Sequence, residues 1–492
     1  MEDERNLELE SLVDPPPLPG FDEKPPKAPG RPRWVSLALI AGACALLVGL
    51  GIWIGAGIGS SETTQPPESE QLQSPPETII PSESGWEANL LRADPVPYQS
   101  ESYWDRRGEA KVYPVFGSGY QRQQITSVTF LDTLVDAPEN AWDVTETGDG
   151  RVMAWVTSAN ELYNLYIAAE GGVNAANACS DLFAGYSNAK KINFGEAFHT
   201  TGATDMSCMF LGCSTLRELK LDSFDTSAVQ DMSGMFYFCE SLTNLTLGDS
   251  FDTSAVQDMS WMFGVCSSLT NLTLGDSFDT SAVQDMSGMF SECKALTNLP
   301  LGDSFDTSAV QDMSCMFYFC KSLTNLTLGD SFDTSAVQDM SWMFGSCSSL
   351  TNLPLGDSFD TSAVQDMSRM FYFCESLTNL TLGDSFDTSA VQDMSWMFSV
   401  CSSLTNLTLG DSFDTSAVQD MSEMFSYCKA LTDLTLGDSF DTSAVQDMSE
   451  MFSYCEALTD LTLGENFVTT NANTNDMFYL CPAGADYQHL LN

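Results

Sequence analysis

The sequence has 492 residues and a formal net charge of −49, from 68 acidic and 19 basic residues. This balance excludes a protein that binds nucleic acid through its phosphates, because such binding needs clustered lysine and arginine. The two histidines, His199 and His489, lie far apart in the sequence. A histidine-based triad or metal site is therefore not expected, and no cofactor is predicted.

Residues 1–33 are polar and rich in proline, so we expect a disordered tail. Residues 34–59 carry no charge, and as a helix of about 39 Å they would cross a hydrocarbon core of about 30 Å. Four basic residues closely precede this segment: Lys24, Lys27, Arg31 and Arg33. The next basic residue is Arg92, so the positive-inside rule predicts a single-pass signal anchor in the cell membrane. The tail would be cytoplasmic, and everything after residue 59 extracellular.

The same segment leaves two further interpretations open. A cleaved signal peptide competes with the anchor, although its apolar region would be only about 7 to 15 residues long and no clear A-x-A site follows. Small residues spaced by four, such as Gly51, Gly55 and Gly59, would permit a dimer of transmembrane helices.

Residues 60–85 are rich in Ser, Pro and Glu, which predicts an extended stalk. Residues 86–175 lack any repeat and contain three segments typical of strands: 125–131, 151–157 and 162–167. A stack of repeats exposes apolar surface at its first unit, so this α/β or β-rich block is predicted to be an N-terminal cap. A separate ligand-binding domain is the alternative.

A phrase of 27 residues then recurs down the chain. Its Met-Phe pair ends at Phe236, Phe263, Phe290, Phe317, Phe344, Phe371, Phe398, Phe425 and Phe452. Within one copy, Leu269, Leu272 and Leu274 have the spacing of a short strand with inward leucines. A fixed period of this size predicts a β-rich, leucine-rich-repeat-like solenoid of about 12 coils over residues 176–481. Residues 482–492 would form its C-terminal end.

Most of the cysteines form one column, with one member in each coil after the first, where Tyr186 takes the place of the cysteine. Its eleven members are Cys213, Cys239, Cys266, Cys293, Cys320, Cys347, Cys374, Cys401, Cys428, Cys455 and Cys481. Neighbouring coils would bring them near enough for disulfides. Their odd number, their apolar surroundings and the lack of C-x-x-C spacing instead favour buried free thiols.

Aspartate also recurs in columns, at the positions of Asp249, Asp252 and Asp258. Their oxygens are expected to accept backbone N–H bonds at turns, which offsets the repulsion between coils. Because each coil supplies the same groups, the columns do not provide the unlike residues that catalysis needs, and no enzyme is predicted. A surface coat whose acidic array is stabilised by divalent cations is the alternative function.

One position of the repeat varies in a way that no packed interior would accept. Between Met-Ser and Met-Phe it holds Cys208, Gly234, Trp261, Gly288, Cys315, Trp342, Arg369, Trp396, Glu423 and Glu450. We therefore expect this position to face outward. The coil before each tryptophan carries a tyrosine, which gives Trp261, Trp342, Trp396, Tyr237, Tyr318 and Tyr372 as candidate ligand-binding residues. The alternative is that the tryptophans fold back over the methionines.

The repeated phrase, for instance from Phe251 to Leu274, resembles the repeat of the BspA-like leucine-rich-repeat surface proteins of bacteria. The resemblance covers about residues 176–481. It implies a non-catalytic surface protein used for adhesion or recognition, with an extracellular protein or another host or bacterial surface ligand as its partner. It carries no functional residue with it, because the repeated motif is scaffold.

Overall fold

The structure, a computed structural model, describes residues 89–94, 113–248, 250–275, 277–302, 305–329, 331–356, 358–383 and 385–491. All of them belong to one of the two compact units of the chain, Glu83–Val96 with Val112–Asn492. The predicted tail, membrane segment and stalk lie outside these residues, as does the predicted dimer of transmembrane helices.

Within the described ranges, no helix has the length and apolar character needed to cross a membrane. This finding corrects the expectation of a single-pass membrane protein with an N-terminal transmembrane helix. The helices found in those ranges are three short 3₁₀ turns, at Arg122–Gln124, Pro482–Ala485 and Gln488–Leu490.

The non-repetitive block forms a five-stranded sheet. Its strands are β1 (Ile125–Leu131), β2 (Trp142–Asp143), β3 (Met153–Ala159), β4 (Leu162–Ala168) and β6 (Lys191–Asn193), in the order β2-β3-β4-β1-β6. The central strand β1 runs parallel to both β4 and β6, whereas β3 and β4 form an antiparallel hairpin. A smaller parallel pair joins β5 (Val173–Asn174) to β7 (Phe198–His199). Because β6 lies in the first coil, the sheet is bonded directly to the repeats.

Nearly every repeat contributes a short strand that pairs in parallel with a neighbouring repeat, and the repeat of Asn352 contributes a single bridge to Asn379 instead. The strands are β8 (Glu218–Lys220), β9 (Asn244–Thr246), β10 (Asn271–Thr273), β11 (Asn298–Pro300), β12 (Asn325–Thr327), β13 (Asn379–Thr381), β14 (Asn406–Thr408), β15 (Asp433–Thr435) and β16 (Asp460–Thr462). Paired strands align residue for residue, as in Leu245 with Leu272, at the 27-residue period. The chain therefore has the repeat-protein fold that the periodicity predicts.

The ladder of strands is divided into four short sheets, with breaks after β10, β12 and β14. Pro300 and Pro354 occupy the place of a threonine beside the first two breaks, and proline cannot donate a backbone hydrogen bond. The third break has no proline in the strands on either side of it. A second line of parallel bridges, through residues such as Asp258 and Asp285, links every coil from Ala178 to Asn473. Stacking between coils therefore does not depend on the strands alone.

The core repeats with the coil. In coil after coil a valine, two methionines, a phenylalanine, a cysteine and a leucine are buried. The phenylalanines from Phe183 to Phe478 stack nearly parallel, with ring centroids 5.4 to 5.8 Å apart. A buried threonine also ties each coil to the next, as when the Thr253 hydroxyl donates to the Asp279 carbonyl over 2.7 Å.

The cysteine column confirms the prediction of free thiols. Every cysteine of the described residues is a free thiol, and the column members are buried. The Cys266 thiol donates to the carbonyl of Phe236 in the preceding coil, at 3.3 Å, and its neighbours repeat this contact. Burial raises the pKa of the Cys266 thiol well above its usual value. These thiols therefore pack as small apolar groups.

Candidate functional site

The variable position of the repeat forms a column that we call the ridge column. It comprises Cys208, Gly234, Trp261, Gly288, Cys315, Trp342, Arg369, Trp396, Glu423 and Glu450. Every member has a left-handed backbone, with φ between 54° and 61°. Along this segment of each coil, every second backbone N–H donates a hydrogen bond to a carbonyl of the next coil, as that of Trp261 does to the Ser287 carbonyl over 2.8 Å. The side chains of the column consequently project in register from neighbouring coils.

The tryptophans of this column are less exposed than their variation suggested. Trp261, Trp342 and Trp396 are all half-buried rather than fully outward-facing. Of the tyrosines before them, Tyr237 is half-buried, while Tyr318 and Tyr372 are only 2% and 5% exposed. The structure therefore presents indoles at the surface and uses the tyrosines largely to support them.

Trp261 lies in a space made by glycines. A Cβ atom on Gly288, the next ridge residue, would be 2.6 Å from two atoms of the indole. A Cβ on Gly264 would be 3.1 Å from the indole and 2.9 Å from the Tyr237 ring. The Tyr237 ring meets the indole edge-on, with centroids 5.6 Å apart. Neither glycine position can carry a side chain while Trp261 keeps this place.

The other two tryptophans enclose an arginine. The Arg369 guanidinium carbon is 5.1 Å from the ring centroid of Trp342 and 5.6 Å from that of Trp396. Both distances are within the range of a cation–π interaction. The three residues occupy successive ridge positions, so the guanidinium lies between two indoles.

Tyrosine rings complete this second cluster. Tyr372 meets Trp342 and Trp396 edge-on, with centroids 5.4 and 5.6 Å apart, and Tyr318 meets Trp342 edge-on at 5.2 Å. The six predicted residues therefore fall into two groups: Tyr237 with Trp261, and Tyr318, Trp342, Tyr372 and Trp396 around Arg369. We call the second group, with its arginine, the Trp–Arg–Trp cluster.

Sequence reasoning assigned no role to Arg369, although its position one coil from each of two tryptophans was visible. It also missed Phe319, whose ring lies 4.0 Å from the Lys321 ammonium and 5.0 Å from that of Lys294. The available signal was the 27-residue spacing, because residues one period apart become neighbours when coils stack in register.

Acidic groups follow the cluster along the ridge column. Burial and the neighbouring Glu450 raise the pKa of Glu423 to about 8, against the opposing effect of Arg369. Burial likewise raises the pKa of Tyr372 to about 12. Glu423 is consequently largely protonated at neutral pH and contributes little negative charge beside the arginine.

Two of the three aspartate columns cap turns, as predicted. Asp258 accepts hydrogen bonds from the backbone N–H and the hydroxyl of Ser260, at 2.9 and 2.6 Å, and Asp252 accepts the N–H of Ser254 at 2.9 Å. The third column includes Asp249, which lies outside the described residues. In the described part of the chain, no three His, Cys, Asp or Glu side chains are placed to hold a metal ion together.

Comparison with known proteins gives one family. A family model with the description "Mycoplasma protein of unknown function, DUF285" matches residues 177–303, 297–382 and 378–486. None of the curated proteins searched matches the sequence. The BspA-like resemblance is thus supported only as a general likeness to bacterial repeat proteins.

Two solved structures are similar to the chain. One is a leucine-rich cell surface protein from Faecalibacterium prausnitzii A2-165, at 17% identity and a TM-score of 0.34, covering 68% of this chain and 96% of that one. The other is a leucine-rich-repeat protein from Eubacterium ventriosum ATCC 27560, at 12% identity and a TM-score of 0.32, covering 62% of this chain and 86% of that one.

Proposed function

This chain belongs to the family described as Mycoplasma proteins of unknown function, DUF285, and from that premise we propose that it is a non-catalytic recognition protein whose ridge column binds a partner protein. The sequence resemblance adds that this partner is expected at a bacterial or host cell surface. Trp261, Trp342 and Trp396, supported by Tyr237, Tyr318 and Tyr372, would supply the contacts.

One observation carries the proposal: the ridge column varies from coil to coil while it keeps large aromatic side chains partly open to solvent. In the regular coils the methionines and the phenylalanine beside it are invariant and buried, whereas the two positions before the column cysteine vary together with the ridge. Tryptophan, tyrosine and arginine are the residues most enriched in the energetic centres of protein interfaces. Their support by buried tyrosines also lowers the entropy that binding would cost.

The test compares two triple variants of the full chain. Surface proteins captured by the wild-type chain are identified and purified, and their affinities for it are measured. Replacing Trp261, Trp342 and Trp396 with leucine keeps apolar contacts to the tyrosines but removes the indoles. We expect this variant to bind at least about tenfold more weakly, because interface tryptophans often contribute more than about 2 kcal/mol.

The control changes exposed residues on the strand side of the same coils. Asn271, Asn352 and Asn406 are replaced with serine, and the affinity should stay within about twofold. Unchanged affinity of the tryptophan variant for every purified partner would refute the proposal. So would an equal loss in the asparagine variant.

A further inference from the structure

Arg369 stands out within the ridge column because it is the only basic residue there. The chain around it is strongly acidic, with 68 Asp and Glu residues. An arginine in such surroundings is expected to form ion pairs. In the part of the chain that the structure describes, the guanidinium of Arg369 has cation–π contacts and no hydrogen bond or ion pair.

The contacts that Arg369 does make fix the position of its guanidinium. Its carbon lies over the rings of Trp342 and Trp396, 5.1 and 5.6 Å from their centroids, and the buried Tyr372 contacts both indoles. These contacts are made with ring faces, which accept no N–H hydrogen bond of the ordinary kind, so the paired donors of the guanidinium stay available to a ligand. A guanidinium held in this way loses less entropy when its edge forms hydrogen bonds.

The nearest acidic group on the ridge does not cancel this charge. Burial raises the pKa of Glu423, the residue two coils away, to about 8, so its carboxyl is mostly neutral at pH 7. The Asp366 side chain, in the coil of Arg369, accepts the backbone N–H of Ser368 at 2.8 Å and forms no ion pair with the guanidinium of Arg369. The arginine therefore presents a local positive charge between two apolar rings.

We propose that the Trp–Arg–Trp cluster binds a carboxylate of a partner protein, with the edge of the Arg369 guanidinium donating two hydrogen bonds to its oxygens and Trp342 and Trp396 contacting the flanking residues. The proposal deepens the proposed function and rests on it. A carboxylate matches the paired donors of guanidinium in geometry and charge. The combination of arginine with tryptophan and tyrosine favours a protein over a sugar as the source of that carboxylate.

Defined probes test this without knowledge of the partner. The full chain is labelled with 5-fluorotryptophan, and the ¹⁹F resonances are assigned through Trp261→Phe, Trp342→Phe and Trp396→Phe. The labelled protein is titrated with the blocked tripeptide Ac-Gly-Glu-Gly-NH2 and with its glutamine counterpart. We expect saturable shifts of the Trp342 and Trp396 resonances with the glutamate peptide only.

Trp261 is the internal control, because the next ridge residue after it is glycine rather than arginine. Its resonance should not move with either peptide. Arg369→Gln should abolish the shifts of the other two resonances. Arg369→Lys keeps the charge but loses the paired donors, so the affinity for the glutamate peptide should fall about tenfold.

Three results would overturn the proposal. They are the absence of saturable shifts with the glutamate peptide, equal shifts of the Trp261 resonance, and undiminished shifts in Arg369→Gln. A third titration uses glucuronic acid, and a shift with this sugar in the absence of one with the peptide would assign the cluster to glycans instead. If the peptide titration fails but partner proteins still bind the tryptophan variant more weakly, the proposed function stands without the carboxylate site. If the tryptophan variant also binds every partner as the wild type does, the ridge column is not a binding surface.

Discussion

At the scale of single residues, the backbone fixes what a ridge side chain can do. The left-handed conformation at each ridge position costs a residue with a Cβ about 1 to 2 kcal/mol, which glycine avoids. Non-glycine residues nevertheless occupy eight of the ten positions, and the regular bonding to the next coil maintains the conformation. The choice of residue at one position is therefore decided mainly by its neighbours in adjacent coils.

Gly288→Ala tests this dependence. Its new Cβ would be 2.6 Å from the Trp261 indole, so we expect a loss of about 1 to 3 kcal/mol in the free energy of unfolding in urea. Gly234→Ala is the matched control, because Gly234 has a similar φ of 59° but its nearest neighbour would be the Cys208 sulfur at 3.3 Å. When Trp261→Ser is added, Gly288→Ala and Gly234→Ala should lower the free energy of unfolding by similar amounts. If Gly288→Ala costs no more than Gly234→Ala, the indole does not occupy the place described.

The cysteine column gives a second residue-scale prediction. Burial raises the pKa of Cys401 to about 12, so its thiolate fraction at pH 8 should be more than about a thousandfold below that of a free cysteine. N-ethylmaleimide should leave Cys401 unmodified in the native protein and label it in urea, as measured by mass spectrometry. Cys481, at the less enclosed end of the column, should react first. Equal native labelling of both would contradict a closed column.

The residue scale is also where sequence reasoning reached its limit. Variation among copies correctly indicated that the ridge position is outside the invariant core, but it did not reveal that the tryptophans are half-buried. A half-buried position accepts different residues when its contacts change with it. Each ridge tryptophan is followed three residues later by a small residue, Gly264, Gly345 or Ser399, and this pairing was the overlooked sign of packing.

At the scale of the coil, hydrogen bonds run along columns and repeat with the sequence period. The strand with the exposed Asn271 and Thr273, the turn capped by Asp258 and the buried leucines all follow from residue pattern alone, and the structure contains each of them. The buried link from the Thr253 hydroxyl to the next coil was not predicted, because a lone threonine in a polar corner gives no sign that it is buried.

The aspartate column makes stability depend on pH. Burial and the carboxylates of Asp312 and Asp366 raise the pKa of Asp339 to about 7, above an unfolded value of about 3.9. The folded protein then binds the proton more tightly, so stability should rise as the pH falls from about 8 to about 5. Glu423 acts in the same direction, since its pKa is also raised. Urea unfolding across this range measures the effect.

Two variants test whether Asp339 itself causes the pH dependence of stability. Asp339→Asn should make the dependence of stability on pH between about 5 and 8 less steep, while the contribution of Glu423 remains. Asp447→Asn should leave it unchanged, because the pKa of Asp447 is lowered by its hydrogen bonds to Ser449 and Asn473 and this residue titrates only at lower pH. Stability that increases with pH across that range in the wild-type protein would contradict the proton linkage.

At the scale of the whole described unit, the ends of the stack are closed by different means. The N-terminal sheet bonds to the first coil through β1 and β6. At the other end the Tyr487 ring stacks on Phe478, with centroids 6.1 Å apart, and its hydroxyl donates to the Leu461 carbonyl over 2.6 Å. Between these ends each coil contacts mainly its neighbours, so stability should be nearly a sum over coils and their interfaces.

Removal of one whole coil tests that description. Deleting residues 417–443 joins Ser416 to Ala444 and keeps every column in register, because the removed 27 residues are nearly identical to those that follow. Glu450 then takes the place of Glu423 beside Trp396. We expect a folded protein with a modest loss of stability, seen as one cooperative transition in circular dichroism and as unchanged hydrogen-exchange protection of the remaining coils.

The matched control deletes one residue fewer, residues 417–442, so that an extra serine remains at the junction. A local bulge can absorb that serine, and only the columns at the junction should then lose protection from hydrogen exchange. Without such a bulge, a slip of one residue turns the inward Leu461 of β16 outward, and the coils after the junction should unfold. Global unfolding of the register-preserving deletion would show that the coils depend on one another beyond their nearest neighbours. The additive description of the stack would then be wrong.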